Sequence, residues 1–257
     1  MLKVSKIKKA SLITIGDEIL NGDILDTNSG WLCRRLTELG VSVERISIVH
    51  DSIDAISIEI SSALDSEVDY IIASGGLGPT PDDVTIESVA KILKRDIKTD
   101  AEVLGWVEKK MEFMSTLGFK GGMTKAREKF AQIPDGMIPI YNKVGIAPGL
   151  VNKLGDKTLI LLPGVPREIK SLFRDIEEYI ESDVTIACEE LKIFGLEADL
   201  SDCFSNFTKN FPDVKLGSYP SRGTLLLKLY LSGKDAAQVK DRLREAKKHL
   251  LKNLPNV

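Results

Sequence analysis

An α/β domain followed by a smaller α+β unit is the fold class that the sequence predicts, and three observations carry the prediction. Short apolar runs alternate with stretches of helical periodicity through the first half of the chain, the grammar of parallel strands joined by right-handed crossovers. From about Asp183 that alternation gives way to closely spaced strands and two helices. The 257 residues, 43% hydrophobic and 28% charged, suffice for one large domain or two small ones and exclude global disorder.

The elements follow in order. Ser11–Ile15 is an apolar run that stops at Gly16-Asp17-Glu18, as a buried strand does on reaching a turn. Leu25, Asn28, Leu32, Leu36 and Leu39 fall on one helical face, with Gly40 placed for a C-cap. Val41, Val43, Ile46 and Ile48 mark a second strand ending near His50-Asp51, and Ile53, Ile56, Ile60 and Leu64 recur at helical spacing. Tyr70-Ile71-Ile72-Ala73 is a third strand, and Ile86, Val89, Ala90 and Leu93 mark the next helix. The stretch from Thr99 to Lys129 reads as helix interrupted by Gly118 and Gly121-Gly122, with extended segments at Met137–Tyr141 and Leu150–Leu154 after it.

Thr158–Leu162 is a further apolar run, ended by Pro163-Gly164-Val165-Pro166. Pro166 suits the first turn of a helix that buries Ile169, Leu172, Phe173, Ile176 and Ile180. The smaller unit reads as a strand at Val184–Phe194, a helix at Leu196–Lys209, strands at Val214–Tyr219 and Thr224–Leu231, and a closing helix with Val239, Leu243, Ala246 and Leu250 inward. The two units are expected to span 1–181 and 182–257.

Lys and Arg number 35 against 38 Asp and Glu, a net charge of −3, which argues against nucleic acid as the main partner. Cys33, Cys188 and Cys203 are scattered, in neither a disulfide framework nor a zinc spacing, and are expected to be reduced thiols of a cytoplasmic protein. The basic start followed by Ala10–Ile15 is too short for a signal-peptide core or a membrane span, so no membrane partner is expected.

Ligands of open α/β sheets bind beyond the carboxyl ends of the strands. Of three such ends, Gly75-Gly76-Leu77-Gly78-Pro79-Thr80-Pro81-Asp82-Asp83 is the most informative. Its glycines let backbone N–H groups approach an anion, and a following helix would turn its positive end to the same anion. Asp82 and Asp83 beside a phosphate cradle suit Mg²⁺, which takes one or two carboxylates and substrate oxygens. The same residues also read as Thr80 capping a helix with Pro81 at its first position and acids in its first turn. Spacing alone leaves both readings open. The loop is neither a P-loop nor a dinucleotide fingerprint. Gly16-Asp17-Glu18 and Pro163-Gly164-Val165-Pro166 fit ordinary turns, Asp51 fits an N-cap, and His50 and His249 read as structural.

Four ordered motifs carry a family resemblance. Gly75-Gly76-Leu77-Gly78-Pro79-Thr80-x-Asp82-Asp83-x-Thr85 resembles the hallmark of the molybdopterin-binding domain superfamily of MogA-, MoaB- and MoeA-type proteins. Ile15-Gly16-Asp17-Glu18-Ile19-Leu20-x-Gly22-x-Ile24-x-Asp26-Thr27-Asn28, Asn142-x-x-Gly145-x-Ala147-Pro148-Gly149 and Leu162-Pro163-Gly164-x-Pro166-x-Glu168 resemble the CinA (competence/damage-inducible) family.

The resemblance implies a three-layer α/β/α MogA-like domain and, behind it, the small second domain of CinA-like proteins. It implies that Asp51 and Asp83 hold Mg²⁺ or another divalent cation and act in catalysis. Gly16, Asp17, Glu18, Asn28, Gly75, Gly76, Leu77, Gly78, Thr80, Asp82, Gly145, Pro163, Gly164 and Pro166 would bind a nucleotide or pterin. The implied activity is hydrolysis of an ADP-ribose-like or FAD-like dinucleotide with release of AMP. The alternative is molybdopterin or nucleotide binding, or adenylyl transfer, without that hydrolysis. A homo-oligomer, with a dimer favoured, is also implied, and the C-terminal deamidase activity of full-length CinA is not expected.

Overall fold

A computed structural model describes residues 7–119 and 121–254. The basic start at residues 1–6, Lys120 of the 99–129 stretch that the sequence reads as interrupted helix, and the last three residues lie outside the described residues. The chain divides into two compact units, one of residues 8–35 and 42–181, the other taking in Ile7, Leu36–Val41 and residues 182–254.

The larger unit is built on strands β1 (Lys8–Ile15), β2 (Val41–Val49), β3 (Tyr70–Ser74), β6 (Ile138–Ile140), β7 (Gly149–Leu154) and β8 (Lys157–Leu162). They form one sheet in the order β2-β1-β3-β8-β7-β6. Strands β1, β3 and β8 run parallel, with Thr14 level with Ser74 and Ser74 level with Leu162. The sheet is not parallel throughout: β7 is antiparallel to both β8 and β6. Gly155 at φ +63° closes the tight β7–β8 connection, which leaves no room for a crossover helix.

Alternation along the strands separates two faces. On one face Ile13, Ile71, Ala73, Leu159 and Leu161 are packed with Ile56 and Ile60 of α3 (Ile53–Asp65) and Val89 of α4 (Thr85–Leu93). On the other, Gly149 lies in van der Waals range of Leu172 and Ile176 of α7 (Pro166–Ile176), whose Phe173 meets Trp31 of α2 (Thr27–Glu38) edge-on at 5.5 Å. This is a three-layer α/β/α domain.

Several expectations shift. Leu25 is 82% exposed because α2 begins at Thr27, leaving Leu32 and Leu36 as its buried stripe. Ile46 and Ile48 are exposed because β2 is an edge strand. Helix α7 stops at Ile176, and Ile180 is buried from the irregular segment beyond a 3₁₀ turn. The middle contains α5 (Ala101–Thr116), capped by Asp100, the short α6 (Lys125–Glu128), and an antiparallel pair of β4 (Ile97–Thr99) and β5 (Gln132–Pro134).

The smaller unit has strands β9 (Thr185–Phe194), β10 (Lys215–Ser221) and β11 (Thr224–Gly233) in the order β10-β11-β9, all antiparallel. Helices α8 (Ser201–Asn210) and α9 (Ala236–Asn253) cover one face of this sheet. Leu225, Leu227 and Leu229 alternate inward along β11 to meet Phe207, Val239, Leu243, Ala246 and Leu250. The period of 2 on the strand and of 3.6 on α9 are satisfied by one shared core. Among the described residues no disulfide joins the cysteines, and no helix is long and apolar enough to cross a membrane.

Candidate functional site

Because β1, β3 and β8 run parallel and level, their carboxyl ends open along one edge. A cleft of about 980 Å³ lies there, and every residue expected at the site lines it except Asp17 and Thr80.

The Gly-rich loop is organised by Asp83. Its Oδ1 accepts from the Gly78 N–H at 2.8 Å, and its Oδ2 accepts from the Thr80 N–H at 2.9 Å and the Thr80 hydroxyl at 2.5 Å. This overturns the capping alternative: α4 starts only at Thr85, its N-cap is Val84, and Thr80 belongs to the loop. The carboxylate captures the N–H groups around Thr80, so Pro81-Asp82 turn instead of opening a helix. Thr85 closes the loop by donating its hydroxyl to Gly75 O at 2.9 Å. Lys129, which no sequence motif singles out, fastens it from outside by donating to the carbonyls of Thr80 and Asp83.

Gly75 and Gly76 have φ of +112° and +65°. A Cβ at Gly75 would stand 2.1 Å from Ile15 O, and one at Gly76 would stand 2.3 Å from the Thr85 hydroxyl oxygen. Gly75→Ala is therefore expected to cost about 3 kcal/mol of stability, from strained backbone and a clash with backbone that cannot yield. Urea unfolding followed by circular dichroism checks this.

Asp51 follows β2 at the cleft edge and is not the cap of α3; that position belongs to Ser52, which accepts from Ala55 N–H. Instead the Asp51 Oδ2 accepts from the Asp17 N–H at 2.8 Å. Asp17 sits on the short helix α1 (Asp17–Leu20), turned away from the cleft, with its own Oδ1 2.7 Å from His50 Nδ1. His50 is thus a partner of Asp17 on the surface and not a core histidine. Burial pushes the Asp51 carboxyl pKa up, the Asp17 N–H opposes the shift, and the neighbouring carboxylates of Asp17, Glu18 and Asp82 add to it.

These residues fit a divalent cation. Among the described residues Asp51 Oδ1 has no hydrogen-bond donor, and Asp83 keeps one of the two acceptor positions on its Oδ1. A positive charge would stabilise the ionised Asp51 carboxylate, which burial and its acidic neighbours disfavour. Among the described residues there is no cluster of three or more His, Cys, Asp or Glu side chains; one or two carboxylates with water and substrate oxygens is the donor set that Mg²⁺ takes.

The β8–α7 turn completes the site. Asn28 donates its side-chain amide to Gly164 O at 2.7 Å, which ties α2 to the turn. A Cβ on Gly164 would lie 3.7 Å from the Gly75 Cα, so the turn and the Gly-rich loop are neighbours. Helix α7 starts with Pro166, which has no N–H, and the N–H groups of Glu168 and Ile169 donate to Val165 O, so in its first turn Arg167 alone has an N–H with no protein acceptor among the described residues. Residues beyond the sequence expectation also line the cleft, among them Lys110, Phe113, Tyr141, Arg167 and Glu168. Of these only Glu168 is marked in the sequence, as the last letter of a motif.

A family model described as a probable molybdopterin binding domain matches residues 11–182, and one described as the middle domain of FAD synthase matches residues 185–257. A protein from Pyrobaculum arsenaticum is 34% identical over 96% of this chain and 96% of its own length. A CinA-like protein from Thermotoga maritima is 36% identical over 81% of this chain but 50% of its own length, so this chain spans about half of that relative. The crystal structure of the protein CinA from Thermoplasma acidophilum, described as of unknown function, has a TM-score of 0.63 at 40% identity and covers 69% of this chain and 100% of that one. The chain belongs to the probable molybdopterin-binding domain family, among its CinA-like members.

Proposed function

We propose that this protein is a divalent-metal-dependent nucleotide pyrophosphatase that acts on ADP-ribose-like or FAD-like dinucleotides and releases AMP. The family matches point to nucleotide-related chemistry with a small pterin or nucleotide ligand. The observation that carries the finer reading is that two carboxylates, Asp51 and Asp83, line one cleft with the Gly-rich loop and the first residues of α7.

Gly76 and Leu77 line the cleft, and their N–H groups, which donate to no protein acceptor among the described residues, are available to a diphosphate there. The start of α7 offers the Arg167 N–H and the positive end of a helix to the same group. Asp51 and Asp83 would hold the cation, which supplies a water of lowered pKa and offsets charge on the phosphoryl group. Asp83 has a second duty, because it fixes the loop that meets the phosphates.

That second duty also favours another reading, a molybdopterin- or nucleotide-binding protein without pyrophosphatase turnover. A loop fully shaped by its own carboxylate is a binding cradle whether or not a bond is cleaved. A panel of ADP-ribose, FAD, NAD and ATP with Mg²⁺, read by chromatography for AMP, separates the two. Turnover of ADP-ribose or FAD is expected; ligand binding with no product would establish the binding reading instead, and ATP consumption only with added molybdopterin would indicate adenylyl transfer.

A further inference from the structure

The cleft contains a second set of polar groups that the proposed metal and loop positions leave unused. Lys110 of α5 lines it together with Lys109, Lys143 and Arg167. Its amine donates to the backbone carbonyls of Asn142 and Gly145 and lies over the Tyr141 ring, 4.8 Å from the centroid. An ammonium has three N–H donors. Two are engaged by carbonyls, and the third has no hydrogen-bond acceptor among the described residues.

The frame that fixes those carbonyls is buried. Asn142 is 1% exposed; its amide nitrogen donates to Ala147 O at 2.8 Å and to Glu168 Oε2 at 2.7 Å, and its Oδ1 accepts from the N–H groups of Val144 and Gly145. Glu168 lies so close to the 142–147 loop that a Cβ on Gly145 would stand 2.0 Å from its carboxyl carbon. Lys143 is occupied by Asp175 at 2.8 and 2.9 Å, whereas Lys110 forms no direct ion pair among the described residues. Burial pushes the Lys110 pKa down, and the charge of Glu168 pushes it back up. A desolvated cation with its direction set by two carbonyls and no counter-ion in contact gains from an anion placed on it.

We propose that Lys110 is an anion-binding residue of this cleft, taking a phosphoryl oxygen of the ligand through a group distinct from the Gly75–Gly78 loop. The nucleotide as the source of that phosphoryl group rests on the function proposed above; the anion site itself does not. Inorganic pyrophosphate is the probe, titrated calorimetrically into the wild-type chain and Lys110→Met without divalent cation. The wild type is expected to bind it and the variant to bind about tenfold more weakly, in line with loss of one charge-assisted hydrogen bond.

A measurement on the wild-type chain alone guards against a variant that fails to fold. Saturating pyrophosphate is expected to slow acetylation of Lys110 by acetic anhydride, read by mass spectrometry, while exposed Lys215 reacts at an unchanged rate. No binding to the wild type, equal affinity in Lys110→Met, or Lys110 acetylated at the same rate with and without pyrophosphate overturns the assignment. If Lys110 is protected while ADP-ribose and FAD are left intact in the turnover panel, the anion site stands and the pyrophosphatase reading falls.

Discussion

Asp51→Asn is expected to lower turnover on the order of 10²-fold or more while raising the melting temperature of the metal-free chain at neutral pH. The two effects have one origin. The Asp51 carboxyl has its pKa raised by burial and by the carboxylates of Asp17, Glu18 and Asp82, so its ionised form is unfavourable in the folded chain. A carboxyl whose folded pKa lies above its unfolded value favours folding while protonated and loses that contribution as pH rises through the folded pKa. Wild type and Asp51→Asn should therefore melt alike below the ordinary aspartate pKa of about 3.9 and diverge above it, with the asparagine variant the more stable. The Asn oxygen still accepts from the Asp17 N–H, so no local bond is lost. Melting curves from pH 3 to 8 without divalent cation, beside AMP release with Mg²⁺, check both halves. A variant less stable than wild type at pH 7 would refute the carboxylate-crowding account.

Asp83→Asn should fall in turnover by a similar factor but move stability the other way. Both Asp83 oxygens accept hydrogen bonds, one from Gly78 N–H and the other from Thr80 N–H and hydroxyl. An asparagine has one acceptor oxygen, so its NH₂ group must face a donor and leave it unmet, at about 1–3 kcal/mol. The Gly-rich loop loosens with it, and ligand affinity is expected to fall along with turnover. The double variant should be little slower than either single, since both carboxylates act on one phosphoryl group. Chemical unfolding of the three variants, with turnover and ligand affinity on the same preparations, gives the test. If Asp83→Asn keeps its stability and loses only turnover, Asp83 is chiefly a ligand and not the organiser of the loop.

The opposite stability effects expected at two aspartates show where sequence reading stops. In the sequence, Asp51 and Asp83 are alike: each follows a strand and precedes a helix, and each fits a cap. The strands themselves were legible. Ile71-Ile72-Ala73 and Leu159–Leu162 are continuous apolar runs because both faces of the central strands are covered by helices. In the smaller unit, the alternation of Leu225, Leu227 and Leu229 and the stripe Val239, Leu243, Ala246 and Leu250 were equally plain, because one shared core imposes both periods.

Partners distant in the chain were not legible. Lys129 reaches carbonyls 46 and 49 positions away, Asn28 holds Gly164 across 136, and Lys110 meets Asn142 and Gly145 across 32 and 35. No local pattern encodes such pairs, because a long polar side chain on a helix reads the same whether it faces solvent or a carbonyl from elsewhere. The extended segment at Leu150–Leu154 was legible but its direction was not, for a related reason: an apolar strand has no direction in its composition, and direction is set by whether the connection is a turn or a crossover. The sequence by itself determined the elements, their buried faces and the motifs that mark the cleft, since these follow from local periodicity and backbone freedom at glycine. Only the tertiary structure decided that Asp83 shapes the loop, that Asp51 stands among like charges and that Lys110 points at the same cavity. Those are facts about distance between segments, and distance between segments is created by the packing of the sheet.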